Sequence, residues 1–162
     1  MKYAAIISAL VLVLTILFVG VLWMNASIAI DTAASGVRIV EASVWPDRYD
    51  ALAEQLRLDA VVGTPFIAPQ ELSGVEDYQF CVYTVTLRND CGVDADAVEI
   101  QITPMAGDVL QVGDAPLMTV PAGSSTQATA VLLTQAGNHG VRQVTVTYYM
   151  WGKPFTLTDY IQ

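Results

Sequence analysis

The sequence predicts an all-β fold, an antiparallel β-sandwich of about seven strands carried behind one N-terminal apolar helix, and three observations point to it. The first is a run without charge from Tyr3 to Ile30. The second is a period-two alternation further along the chain, as in Cys81, Tyr83, Val85 and Leu87 against Val82, Thr84, Thr86 and Arg88. The third is the recurrence of turn clusters at the intervals of a sandwich.

The apolar run reads as a transmembrane signal anchor over residues 1–30. From Ala4 to Met24 only Ser8, Thr15 and Gly20 interrupt it, and as a helix this stretch spans about 31 Å, the thickness of a hydrocarbon core. Tyr3 and Trp23 fall near its ends, where aromatic rings favour the headgroup level. Lys2 precedes it and Asp31 follows, so the N-terminus is expected in the cytoplasm and the rest outside. A cleaved secretory signal competes, with small residues at Ser27-Ile28-Ala29 or Thr32-Ala33-Ala34, but the run exceeds the usual signal core of about 7–15 residues. Asn25-Ala26-Ser27 is formally a glycosylation sequon, too close to the membrane to serve. Ala5 and Ala9 offer a close helix contact and with it a route to a homo-oligomer.

Charge bounds the partners. None of the sixteen acidic residues precedes Asp31, while one of the seven basic residues, Lys2, does, so the segment from 31 onward carries ten net negative charges. Such a head repels phosphate backbones, which excludes nucleic acid as a partner, and it is not expected to lie flat on an anionic bilayer. Two cysteines and one histidine leave too little for a zinc site or a nucleophile–imidazole pair. There is no G-x-S-x-G elbow and no phosphate-binding glycine loop. The reading is therefore of a non-enzyme with no catalytic residue, cofactor or metal site.

Residues 31–36 are small and polar, as in a short stalk, and the sandwich is expected over 37–162. Val37 to Trp45 reads as the first strand, stopped by Pro46. A short helix follows at about 47–57, with Tyr49, Leu52, Ala53 and Leu56 on one face, proline at its start and acids in its first turn. Its expected place is over an open end or edge of the sandwich. Gly63 to Gly74, with Pro65 and Pro69, reads as loop. Strands then follow from Cys81 to Arg88, around Val98, Ile100 and Ile102, from Val109 to Val112, from Thr126 to Leu133 and from Val141 to Met150. Phe155 to Ile161 completes a terminal hairpin in which Gly152 supplies the unusual backbone angle. Seven strands in this order predict an immunoglobulin-like sandwich.

The stretch Tyr83 to Asn89, Gly92, Asp96 to Ile100, Val120 to Ser125 and Gly140 before Val144-Thr145-Val146 resembles the CARDB-type bacterial and archaeal immunoglobulin-like domains over Gln79 to Tyr149. The resemblance implies fold more than function, and at most adhesion or interaction at the cell exterior. It carries over no functional residue.

Several groups remain as candidates. Cys81 and Cys91 invite a disulfide on an oxidising side, yet an unbroken strand between them holds the α-carbons about 25–30 Å apart, so no bridge is expected. Cys91 is then a loop-tip thiol. Asp90, Asp94, Asp96 and Glu99 crowd one loop with the oxygen chemistry calcium needs, in a spacing that wraps no ion. His139 sits in a turn where positive backbone angles are tolerated. Asp108, Asp114 and Asp159 are carboxylates without an evident cleft to share. In the last hairpin Tyr148, Tyr149, Trp151, Phe155 and Tyr160 are too many for one buried face, and Tyr149 with Trp151 form a candidate partner patch. The function these readings favour is a membrane-tethered, extracytoplasmic interaction or scaffolding module that binds another protein. The alternative is a filament subunit of the pilin or archaellin kind.

Overall fold

The computed structural model describes residues 2–24, 27–113 and 117–162. The sequon's Asn25 and Ala26 and the carboxylate of Asp114 lie outside the described residues. The first element is helix α1, Lys2–Met24. Its Thr15 hydroxyl donates to the Val11 carbonyl at 2.9 Å, which removes a free polar group from an otherwise apolar surface. Nothing in the fold covers that surface: the 20 residues Tyr3–Leu22, of mean hydropathy 3.0, are unburied on every side.

The head begins earlier than expected. Strand β1 is Ala29–Glu41, and the segment 31–36 read as a stalk is part of it. The register against β3, Tyr78–Asn89, runs from Ala29 opposite Arg88 to Glu41 opposite Gln79, with a bulge between Asp31 and Gly36. Small polar residues suit a bulge as well as a stalk. Asp31 Oδ1 accepts the N–H groups of Ala33 and Ala34 at 3.1 and 3.2 Å, and the Ser35 hydroxyl donates to the Asp31 carbonyl. The bulge is then stitched to β3: the Thr86 N–H donates to Ser35 Oγ and the Thr86 hydroxyl to the Ala34 carbonyl.

A turn of 3-10 helix at Ala42–Val44 ends β1 and leads into α2, Pro46–Arg57, within one residue of the expected helix. The remaining strands are β2 (Gly63–Pro65), β4 (Ala95–Ile102), β5 (Asp108–Val112), β6 (Met118–Val120), β7 (Ser124–Gln135), β8 (Arg142–Met150) and β9 (Lys153–Ile161). Among the described residues nine strands form two antiparallel sheets, ordered β1-β3-β7-β5-β2 and β6-β4-β8-β9. The all-β sandwich is as expected, with two strands more. Both additions, β2 and β6, have three residues, too few for alternation to register. β2 lies in the segment read as loop. It approaches its neighbour so closely that a Cβ on Gly63, whose φ is 140°, would sit 2.2 Å from the Gln111 carbonyl oxygen.

Two cores form, one on each face of the five-stranded sheet. Between the sheets lie Cys81, Tyr83, Val85 and Leu87 of β3 with Val98, Ile100 and Ile102 of β4 and Val144, Val146 and Tyr148 of β8. For β3 and β4 that is the inward set read from the alternation. On the outer face α2 lays Tyr49, Leu52 and Leu56 over Phe80, Leu110 and Leu133. The helix therefore covers the face of the five-stranded sheet, not an end or edge. The reason is local: Phe80 beside Cys81 and Leu133 beside Leu132 are all buried, so both faces are apolar at this end of β3 and β7 and the outer one must be capped.

Candidate functional site

The end of the sandwich where β1 begins gathers three loops. Residues 90–94 join β3 to β4, 121–123 join β6 to β7, and Trp151-Gly152 join β8 to β9. Ile28, 3% exposed, belongs to the core at this end, and its N–H donates to the Tyr148 hydroxyl at 3.2 Å. Cys91 closes over the same segment. Its Sγ donates to the Ser27 carbonyl at 3.0 Å and accepts the Ser27 N–H at 3.2 Å. The thiol expected at a loop tip is thus half-buried and directed at the chain that enters the head. Asn89 holds this loop from below, its Nδ2 donating to the carbonyls of Val93 and Val120 and its Oδ1 accepting the Cys91 N–H.

Tyr149 and Trp151 lie at the turn end of the β8–β9 hairpin. Strand alternation turns Tyr148 inward, stacked on Phe155 at 5.5 Å between centroids, and turns Tyr149 outward. Tyr149 is 42% and Trp151 40% exposed. The turn has only two residues, with Met150 opposite Lys153, and both take positive φ, 51° for Trp151 and 72° for Gly152. Asparagine, aspartate or glycine normally fills the first of these positions. Lys153 Nζ lies 5.6 Å from the centre of the Phe155 ring.

The acids of the 90–99 segment do not converge. Asp90 pairs with Arg88 at 2.8 Å, Asp94 accepts the Ala122 N–H at 2.8 Å and Asp96 accepts the Thr119 hydroxyl at 2.9 Å. Among the described residues no group of three or more acids, cysteines or histidines could hold a metal ion. Cys81 and Cys91 are not bonded to each other. Burial pushes the Cys81 thiol up, away from the thiolate that a nucleophile requires.

At the opposite end stands a buried polar group that the sequence reading did not identify. The Arg142 guanidinium donates to Asp108 Oδ1 at 2.9 Å, and both side chains are wholly buried. Asp108 Oδ2 accepts the Met105 N–H at 2.7 Å, Asn138 Nδ2 donates to Asp108 Oδ1 at 3.2 Å, and Arg142 also contacts the Met105 sulfur. Among the described residues Arg142 Nε is buried without a partner. Asp108, weighed as one of three hydrolytic carboxylates, is thereby committed to an ion pair. His139 lies beside this group, with Nδ1 3.4 Å from Gln79 Nε2, and the positive φ of its turn is taken by Gly137. The sequence did carry one signal: Arg142 is in phase with the core positions Val144, Val146 and Tyr148.

The side of the sandwich bounded by β4, β5 and β6 opens into a cleft of about 630 Å³ lined by Val98, Ile100, Val112, Met118, Ala128 and Ala130. Gln111 spans it, its Nε2 donating to the Ile100 carbonyl at 2.6 Å and its Oε1 accepting the Ile102 N–H at 2.8 Å. One side chain thus replaces strand pairing between the two sheets.

Burial raises the phenol of Tyr83 to about 12, and burial together with the neighbouring Tyr78 and acids raises that of Tyr49 to about 12. The unfolded chain releases these protons near the ordinary value of about 10 while the fold retains them. Their contribution to stability is therefore complete below pH 10 and falls away between 10 and 12. The urea midpoint should drop steeply over that window, and Tyr83→Phe should blunt the drop. No family model and no curated protein matches this chain.

Proposed function

We propose that the chain is a non-catalytic, membrane-tethered module whose β-sandwich faces the cell exterior and engages another protein there. The observation that carries the tether is the bare apolar surface of α1, where Ile6, Leu10, Leu14, Leu17 and Phe18 are all at least half exposed. Water does not tolerate an unbroken surface of this kind, and a bilayer does. Lys2 and the α-amino group at the N-terminal end of the apolar run favour an outward head. An uncleaved anchor is further supported by where the alternative cleavage sites fall. Ser27 is bonded to Cys91, Ile28 is in the core and 32–34 lie in the bulge of β1, so cutting at either site would remove part of the fold. The resemblance of Gln79 to Tyr149 to CARDB-type domains agrees with an interaction role.

A filament subunit is the second reading, and one observation favours it: only residues 25–28 lie between α1 and the first strand of the head. Intact mass and N-terminal sequence of the protein from isolated membranes test both. An intact N-terminus is the expected result. Loss of the first few residues would favour the filament, and loss of 29 to 34 residues would make this a secreted domain.

A further inference from the structure

We propose that the β8–β9 turn, with Trp151 at its tip, rests in the headgroup layer of the membrane that α1 spans, so that the head stands on the bilayer by this end. The inference builds on the anchored reading. It identifies the occupant of the Tyr149–Trp151 patch as lipid rather than a protein partner.

The tether fixes which end faces the membrane. α1 ends at Met24 and Ile28 is already sealed in the core, so three residues, or four Cα-to-Cα steps, connect them. Fully extended they reach at most about 14 Å. The loops that share the Ile28 end, at 90–94, 121–123 and 151–152, are therefore held against the headgroups whenever α1 is inserted. The opposite end, with Arg142, Asp108 and His139, is a strand's length away.

Chemistry at this end fits an interface. Trp151 is the large aromatic of those three loops, and tryptophan partitions to the headgroup level because its ring is apolar and its N–H polar. It also occupies a position with φ of 51°, where a bulky side chain strains the backbone. A hairpin selected for folding alone would carry asparagine or glycine there. Tyr149 is exposed on the adjoining strand, and Lys153 sits at the base of the turn. The charges of this end partly balance, with Arg88 and Lys153 against Asp31, Asp90, Asp94 and Asp96. The four carboxylates are already engaged, by the Ala33 and Ala34 N–H groups, Arg88, Ala122 and Thr119. Two net negative charges out of the head's ten favour contact with a zwitterionic surface.

The test uses the full chain in phosphatidylcholine vesicles, with phosphatidylcholine brominated high on its acyl chains as the fluorescence quencher. Wild type is compared with W23F and W151N, Trp45 being present in all three. Asparagine suits the turn, so W151N does not threaten folding. The expected result is that wild type is quenched and that W151N and W23F each remove a similar share of the quenching. If W23F removes it and W151N leaves it unchanged, the anchor stands and the proposal falls, leaving the patch to a protein. If brominated lipid quenches none of the three, the anchor itself falls and the proposal with it.

Discussion

Asp108→Ala is expected to lower the stability of the head by about 3–5 kcal/mol, read from urea unfolding, because it leaves the Arg142 guanidinium charged and buried with no counter-ion. Against a total of about 5–15 kcal/mol for a domain, that is enough to populate unfolded chain at growth temperature. The environment makes the loss hard to recover. Both side chains are fully enclosed, Arg142 Nε has no partner among the described residues, and the Met105 N–H would lose its acceptor as well, while the Asn138 amide keeps the Ala106 carbonyl and the Thr134 hydroxyl. Replacing both members by apolar residues of similar size, Asp108→Leu with Arg142→Met, should restore much of the stability, since it removes the desolvated charge together with its partner. A cost below about 1 kcal/mol for Asp108→Ala would mean that water reaches the pair and that this end of the sandwich is open in solution.

This ion pair also shows where sequence reasoning stops. The phase of Arg142 with Val144, Val146 and Tyr148 placed it on the core face, but its partner lies 34 residues earlier on the other sheet, and no local pattern connects them. The inner faces of β3 and β4 were legible because alternation is a local property of one strand. The amphipathic stripe of α2 was legible for the same reason. Its docking site was not, because that depends on Phe80 and Leu133 breaking the alternation at one end of two paired strands. The bulge at 32–35 was misread as a stalk because small polar residues serve both, and only the bonds to Thr86 distinguish them. That misreading hid more than a boundary. With a stalk of six residues the chain from α1 could lead to either end of the sandwich, whereas with β1 starting at Ala29 it leads to the Ile28 end. The exposure of Tyr149 and Trp151 was legible, but their place at the end where β1 begins was not. The bond between Cys91 and Ser27 joins residues 64 apart and left no trace in the sequence.

Phe80→Ala is the second large effect, about 3–5 kcal/mol from lost burial and the cavity left behind. Phe80 is fully buried on the outer face of β3, with its ring 5.4 Å from that of Trp45 and 5.9 Å from the Arg48 guanidinium. It is therefore the residue on which α2 and the turn before it are seated. The loss should be local before it is global, because the core between the sheets is built from the other face of the same strand. Hydrogen exchange in the variant should speed up first over Pro46–Arg57, while amides of β4 and β8 keep their protection relative to the new global stability. Uniform loss across both sheets would instead mean that the two cores fold and open as one. The prediction also separates stability from placement. Phe80 lies eight residues along β3 from Arg88, roughly 26 Å from the end that carries Trp151. Loosening α2 should leave quenching of Trp151 by brominated lipid unchanged, whereas W151N should abolish that quenching without releasing α2.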